Sequence, residues 1–130
     1  MTTREQVDQL TDNWIQTYSG RRFWPLAPRV ADVAVEDIAH ALSLICRYGG
    51  HCDRFFSVAE HCYLVSEKSG LHGLLHDAAE AYLLEIPRPV KALLPEYKWA
   101  EDRGLDIIYK ALGIPLPTKA ETLMVKDADS

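Results

Sequence analysis

The sequence predicts an all-α helical bundle with a short hairpin or extended arm near its N-terminus. Apolar residues recur at helical spacing through most of the chain. Glycine, proline and capping residues divide that pattern into short segments. Short helices with one apolar stripe bury it against one another, so these observations together favour a bundle.

The N-terminal part is predicted to form one helix followed by the arm. A threonine and the glutamate or glutamine behind it can make a capping box, and apolar residues follow at helical spacing as far as Gly20. Pro25 and Pro28 then interrupt helix formation, and valines alternate loosely behind them. These features predict a short hairpin or an extended arm over residues 21–35.

Helices are predicted for most of the remaining chain. They begin at about Glu36, at Ser57, after Gly70, at about Pro95 and at Thr118. Ser57 and Thr118 each precede a glutamate by three residues, which is the spacing of a capping box. The second helix is expected to end at the glycine pair at 49 and 50, and the fourth to carry Tyr82 on its apolar stripe.

Length, charge and hydropathy limit the classes of function. A chain of 130 residues predicts a single domain over residues 1–130. The net charge of −5 and the lack of basic runs disfavour a nucleic-acid partner, but they allow a small anionic substrate. Without a long apolar segment or a signal-peptide pattern, we expect a cytoplasmic protein with no membrane partner.

The cysteines carry little information at the level of sequence. Cys46, Cys52 and Cys62 form no Cys-x-x-Cys pair, and an odd number of thiols cannot all be bridged to one another. A reducing compartment fits this pattern. We therefore expect buried or idle thiols.

A histidine and an aspartate stand side by side in an otherwise apolar segment, at His76 and Asp77. Burying such a pair is costly without a partner, and a divalent cation suits an imidazole and a carboxylate at once. Glu80 shares their face on the predicted helix, where a carboxylate is placed for proton transfer. The alternative is a salt-bridged helix with incidental polar residues, and a bare His-Asp pair would favour it.

Two further motifs flank this segment. SVAEH places His61 on the preceding helix, and VKDAD places acids on a later one. The order of histidine, histidine-aspartate and aspartate resembles the HD superfamily of metal-dependent phosphohydrolases. More narrowly, SVAEH, LLHDAAE, IPRPVK and VKDAD resemble bacterial 5′-deoxynucleotidases and phage dATP triphosphohydrolases. The resemblance covers roughly residues 36–130 and predicts an HD-domain helical bundle.

The resemblance implies one divalent metal ion, either Mn, Co, Mg, Fe or Zn. Its ligands would be His61, His76, Asp77 and Asp129. Asp129 is chosen over Asp127 because the family's last acid follows a small residue. Glu80 matches the family's catalytic carboxylate, and Asp77 would both ligate the metal and orient the attacking water.

The resemblance also implies a substrate. Arg47 and Tyr48 stand where the family has an Arg-Trp pair that grips the nucleotide, and Glu85 stands near an acid that contacts the sugar. The implied activity is hydrolysis of phosphate esters or anhydrides of small nucleotides, mainly deoxynucleotides, by a 5′-monophosphatase or a dNTP triphosphohydrolase. The alternative is a catalytically silent metal-binding or oligomerising module. A homo-oligomer assembled through the segment at Phe23 and Trp24 also stays open.

Overall fold

The structure is a computed structural model that describes residues 13–130. Over this range the chain is mostly helical, so the all-α prediction is confirmed. Two short strands, β1 (Ile15–Gln16) and β2 (Arg22–Phe23), pair antiparallel, with Ile15 opposite Phe23. The helices are α1 (Val35–Leu44), α2 (Val58–Leu75), α3 (Glu80–Leu83), α4 (Arg88–Lys91), α5 (Pro95–Leu112) and α6 (Lys119–Asp129).

The core lies between β2 and the helices. Its buried side chains are Phe23, Ile38, Leu42, Val58, Cys62, Ala78, Ala79, Tyr82 and Ile108. Within α1 and α2 the core residues stand four apart, Ile38 with Leu42 and Val58 with Cys62, which is the spacing of helices that each present one apolar face. No helix within residues 13–130 combines the length and the apolar character needed to cross a lipid bilayer.

The prediction of an N-terminal helix is wrong where the structure describes it. Residues 15–23 form the β1–β2 hairpin, and the first part of the predicted helix, up to residue 12, lies outside the described residues. Gly20 has φ 88° and donates its N–H to the Thr17 carbonyl, so it closes a turn and does not end a helix. The hairpin therefore begins before the predicted range of residues 21–35 and shares only β2 with it. Further along that range, Val30–Asp32 form a 3₁₀ turn.

The hairpin is fastened to the helices at two points. Phe23 is 2% exposed and stacks on Tyr82 with ring centroids 3.7 Å apart. Ser19 donates its N–H and its hydroxyl to the buried carboxylate of Asp37, at 2.7 and 2.8 Å. The segment predicted as an arm is therefore part of the core and does not extend freely from it.

We expect Asp37→Ala to destabilise the fold by about 1.5–3 kcal/mol, the range for hydrogen bonds to a charged group. Burial raises the pKa of Asp37, but the hydrogen bonds from Ser19 outweigh it and hold the pKa below the ordinary value of 3.8. The contribution of Asp37 to the free energy of unfolding is therefore complete above pH 3.8, and it is lost as the pH falls through the folded-state pKa. Urea unfolding at several pH values measures it. Glu36→Ala, an exposed acid in the same first turn, is the control, and an equal effect there would refute the anchoring role.

The second predicted helix ends earlier than expected. Helix α1 stops at Leu44, because Ile45 is extended and its carbonyl accepts a hydrogen bond from Val58 N–H at 2.9 Å. The glycine pair belongs instead to a separate 3₁₀ turn, Arg47–Gly50. Within it Tyr48 has φ 59°, a left-handed conformation that is uncommon for a tyrosine.

The two predicted capping boxes have different outcomes. Thr118 and Glu121 form both reciprocal bonds, so the box at the start of α6 is confirmed. At α2, Ser57 Oγ accepts the Glu60 N–H at 3.0 Å, but the Glu60 carboxylate pairs with Arg54 at 3.2 Å. The start of α2 is therefore correct, and the box that was predicted there forms only in half.

The predicted break at Gly70 is confirmed, since Gly70 interrupts α2 with φ 70° and ψ −150°. The predicted continuous helix beyond it is wrong, because α2 ends at Leu75 and residues 76–79 form a turn before α3. A helix would use the Gly73 carbonyl to accept a backbone N–H. Here His76 Nδ1 lies 2.5 Å from that carbonyl oxygen, so the side chain competes for the acceptor.

Candidate metal centre

Four of the residues predicted from the resemblance meet at one point. His61 comes from the start of α2, His76 and Asp77 from the turn behind α2, and Asp129 from the end of α6. His61 Nε2 lies 2.7 Å from Asp129 Oδ1 and 3.6 Å from Asp77 Oδ2. His76 Nε2 lies 3.1 Å from Asp77 Oδ2 and 3.5 Å from Asp129 Oδ1.

The donor atoms fit a metal ion. One ligand atom from each of His61, His76 and Asp77 lies within 4.8 Å of the others, so this group could hold a cation. Both Nε2 atoms are buried, and neither makes a hydrogen bond of regular geometry in the described part of the chain, although carboxylate oxygens lie 2.7 to 3.6 Å away. Buried polar atoms without partners are rare, and two imidazole nitrogens facing carboxylates suit a divalent ion.

The hydrogen bond of His76 fixes which of its nitrogens faces the cluster. Its Nδ1 donates to the Gly73 carbonyl, which leaves Nε2 as the lone-pair nitrogen of the neutral ring. Burial lowers the pKa of His76, but the Asp77 carboxylate and the Gly73 carbonyl outweigh burial and raise it. Burial and the Arg47 guanidinium lower the pKa of His61. The cluster therefore attracts a proton to His76, and a bound metal would displace it.

The break at Gly70 makes this meeting possible. A straight helix at 1.5 Å per residue would place residues 61 and 76 roughly 22 Å apart. The rings of His61 and His76 are 5.4 Å apart, centroid to centroid. The chain reverses at Gly70, whose φ and ψ lie in a region that is essentially restricted to glycine.

We expect Gly70→Ala to cost about 1–3 kcal/mol of stability and to weaken metal binding. A Cβ there would meet no atom within 4 Å, so the effect would come from backbone strain alone. Gly113→Ala is the matched control, because Gly113 also has a positive φ and open space, but it ends α5 away from the cluster. Urea unfolding and calorimetric metal titration measure both effects. Equal metal affinity in the two variants would contradict the role of Gly70.

Glu80 lies beside the cluster and is 7% exposed. Its Oε1 is buried and has no hydrogen-bond partner within residues 13–130. Burial and the neighbouring Asp77 carboxylate raise its pKa to about 9. The structure therefore brings the predicted catalytic carboxylate against the predicted ligand Asp77, inside the protein.

The predicted substrate residues line a pocket of about 620 Å³ next to the cluster. Arg47 and Tyr48 belong to one chain segment that lines it, and Glu85 begins a second lining segment, which continues to residue 89. The Arg47 guanidinium lies 4.8 Å above the Tyr48 ring, and its Nε is 4.0 Å from Glu85 Oε1. Arg47 therefore contacts a residue from each of the two segments that line the pocket.

Two residues that the sequence did not assign to the site also lie there. Arg88, in the same lining segment as Glu85, has its guanidinium 3.6 Å from Asp129 Oδ2. Phe56 lies beneath Arg47 at 5.7 Å and meets the His61 ring edge-on at 6.4 Å. Arg88 is part of the IPRPVK motif, which was a signal for its position. Phe56 offered no such signal.

The chain is similar to two curated bacterial proteins. It is 40% identical over 107 residues to the uncharacterized protein YfdR of Escherichia coli (strain K12), covering 79% of this chain and 60% of YfdR. It is 36% identical over 116 residues to the uncharacterized protein RCAP_rcc00048 of Rhodobacter capsulatus, covering 78% of this chain and 59% of that protein. The chain thus spans about 60% of the length of YfdR. No protein-family model matches the chain.

Proposed function

We propose that the chain is an HD-superfamily metal-dependent phosphohydrolase that acts on small nucleotides. One observation carries the proposal. The buried Nε2 atoms of His61 and His76 lie 2.7 to 3.6 Å from the carboxylates of Asp77 and Asp129 without a regular hydrogen bond, at the edge of a pocket that contains an arginine. Mixed nitrogen and oxygen ligands suit Mn, Co, Mg, Fe or Zn, so the proposal leaves the metal open.

A divalent ion held by these ligands would polarise a phosphoryl oxygen and lower the pKa of a water molecule. The side chains around it supply the remaining chemistry. Asp77 orients the attacking water through its carboxylate, and Glu80, in contact with Asp77, moves a proton to or from the reacting oxygens. Burial of Glu80 keeps bulk water away from that transfer.

The pocket would hold the rest of the nucleotide. Its volume of about 620 Å³ lies within the usual range of small-molecule sites, roughly 300–1,000 Å³. The Arg47 guanidinium offsets phosphate charge, and the half-exposed Tyr48 ring offers a face to the base or the sugar. Glu85, which also lines the pocket, is placed to accept a hydrogen bond from a sugar hydroxyl.

A nucleotide panel tests this proposal. The purified chain is stripped with a chelator, each candidate metal is added back, and deoxy- and ribonucleoside mono- and triphosphates are supplied. Product analysis that resolves phosphate from triphosphate separates a 5′-monophosphatase from a dNTP triphosphohydrolase. We expect turnover with at least one metal. Metal binding without turnover of any nucleotide would favour the catalytically silent module instead.

Arg47→Ala should lower kcat/KM for nucleotides roughly 10- to 100-fold, the equivalent of one charge-assisted hydrogen bond. A small aryl phosphate, which does not reach Tyr48, should be much less affected. Arg54→Ala is the control, because Arg54 also lies over Phe56, at 5.8 Å, but points away from the pocket to pair with Glu60. Steady-state kinetics on both substrates measure the difference. An equal effect on the two substrates would refute the nucleotide grip.

A further inference from the structure

The structure brings together two of the three cysteines, which the sequence alone predicted to be idle. The sulfur atoms of Cys46 and Cys52 lie 3.6 Å apart, and both residues are partly exposed. Cys62 differs from them, since it is 1% exposed and sits in the core. Two accessible thiols in contact can form a redox pair. The buried third thiol serves as an internal control for their reactivity.

The residues between Cys46 and Cys52 form a turn that lines the pocket. Arg47–Gly50 form the 3₁₀ turn, and His51 follows it with its N–H bonded to the Tyr48 carbonyl at 3.0 Å. Arg47, Tyr48, Gly49 and His51 all line the pocket of about 620 Å³. Cys46, which directly precedes the turn, forms a β-bridge with Ser57. A disulfide between Cys46 and Cys52 would therefore close a small covalent ring that contains the pocket-lining residues of this turn.

We propose that Cys46 and Cys52 are a reversible oxidation site whose disulfide locks the Arg47–Gly50 turn. A disulfide bond is about 2.05 Å long, so the sulfurs need to approach by about 1.5 Å. Rotation of the two cysteine side chains, together with small backbone shifts at Gly49 and Gly50 between them, can supply this movement.

The oxidant is a small disulfide such as oxidised glutathione. One protein thiolate attacks a sulfur of the small disulfide, which forms a mixed disulfide and releases one small thiolate. The second protein thiolate then attacks the protein sulfur of that mixed disulfide and releases the other. The two protons lost by the cysteines are taken up by the two released thiolates, which become thiols. The protein is oxidised by two electrons, and the small disulfide is reduced by two.

The surroundings of the thiols set the pH range of the reaction and exclude Cys62 from it. The hydrogen bond to Cys46, with burial, raises the pKa of the Cys52 thiol. Exchange through Cys52 should therefore accelerate as the pH rises, because only the thiolate reacts. Cys62 is 1% exposed, which keeps that thiol out of reach of the small disulfide in the folded chain.

The test uses the unmodified chain, incubated with oxidised glutathione and mapped by mass spectrometry. We expect a mass lower by two hydrogens, a peptide link between Cys46 and Cys52, and Cys62 free until the chain is denatured. Amide hydrogen exchange in residues 48–51 should slow at least severalfold and recover on reduction. Cys52→Ser should instead carry glutathione on Cys46, without slowed exchange. Stable glutathione adducts on both cysteines, or a link without slowed exchange, would overturn the proposal.

A kinetic measurement then tests whether the Cys46–Cys52 disulfide changes nucleotide binding. This part alone rests on the proposed function. The oxidised and reduced chains should differ severalfold in KM for the nucleotide and bind metal equally well, because the metal ligands lie outside the ring. Equal KM values with the link complete would overturn the regulatory role. A lack of turnover in both forms would refute the proposed function and leave the disulfide result standing.

Discussion

Asp77→Ala should abolish metal binding and turnover while the helices stay folded. The Asp77 carboxylate approaches the Nε2 atoms of both histidines, at 3.1 Å from His76 and 3.6 Å from His61. Groups that only support a metal ligand are each worth about 10- to 100-fold in affinity, so the loss of a ligand should exceed about 100-fold. Asp77 lies in a turn, and alanine there removes no core contact.

Calorimetric metal titration, circular dichroism and product assays on the same sample separate these effects. Asp127→Ala is the matched control, since Asp127 is an exposed acid on α6, two residues before Asp129. It should leave metal affinity and turnover unchanged. Wild-type activity that survives exhaustive chelation would exclude the metal from the reaction, and a similar loss in both variants would refute the ligand assignment.

Glu80→Gln should retain the metal and the fold but lose about 10²- to 10⁴-fold in kcat, the usual contribution of a general acid or base. Its carboxyl is buried against Asp77, and Oε1 faces no hydrogen-bond partner in the described residues. A carboxyl with a free oxygen in this position is available for proton transfer to substrate or water. Glutamine preserves the shape of the side chain and removes that capacity.

Single-turnover kinetics and metal stoichiometry measured together give the result. Glu101→Gln provides a control, because Glu101 is a nearby carboxylate whose partner is Lys91, at 2.7 Å. It should change kcat little. Loss of the metal from Glu80→Gln would make Glu80 a ligand, and unchanged turnover would remove it from the reaction.

Most helix boundaries in this fold follow from local signals. Ser57, Thr118, Pro95 and Gly113 all lie at helix ends, because capping and backbone preferences act within one turn of the chain. The hairpin was misplaced because Trp14 and Tyr18, which flank its first strand, stand at helical spacing. Stacking of Phe23 on Tyr82 decides its conformation instead, and that contact joins distant parts of the sequence.

The site followed from the sequence only in part. The resemblance supplied the four proposed ligands, and the structure brings them together, but helical periodicity placed His76 and Asp77 inside a continuous helix. The competition of the His76 side chain for the Gly73 carbonyl could not be inferred from periodicity. The contact between Cys46 and Cys52 also depends on a turn with positive φ values, which residue spacing does not reveal.

The conformation of Tyr48 sets stability against function at one position. A left-handed conformation costs a residue with a Cβ about 1–2 kcal/mol, and Tyr48 adopts it with φ 59° and ψ 25° while its ring stays 54% exposed. Glycine would relieve that strain without loss of core packing. Directed evolution for heat resistance should therefore enrich glycine at position 48. Selection for nucleotide turnover should restore the aromatic ring, so the two selections pull this residue in opposite directions.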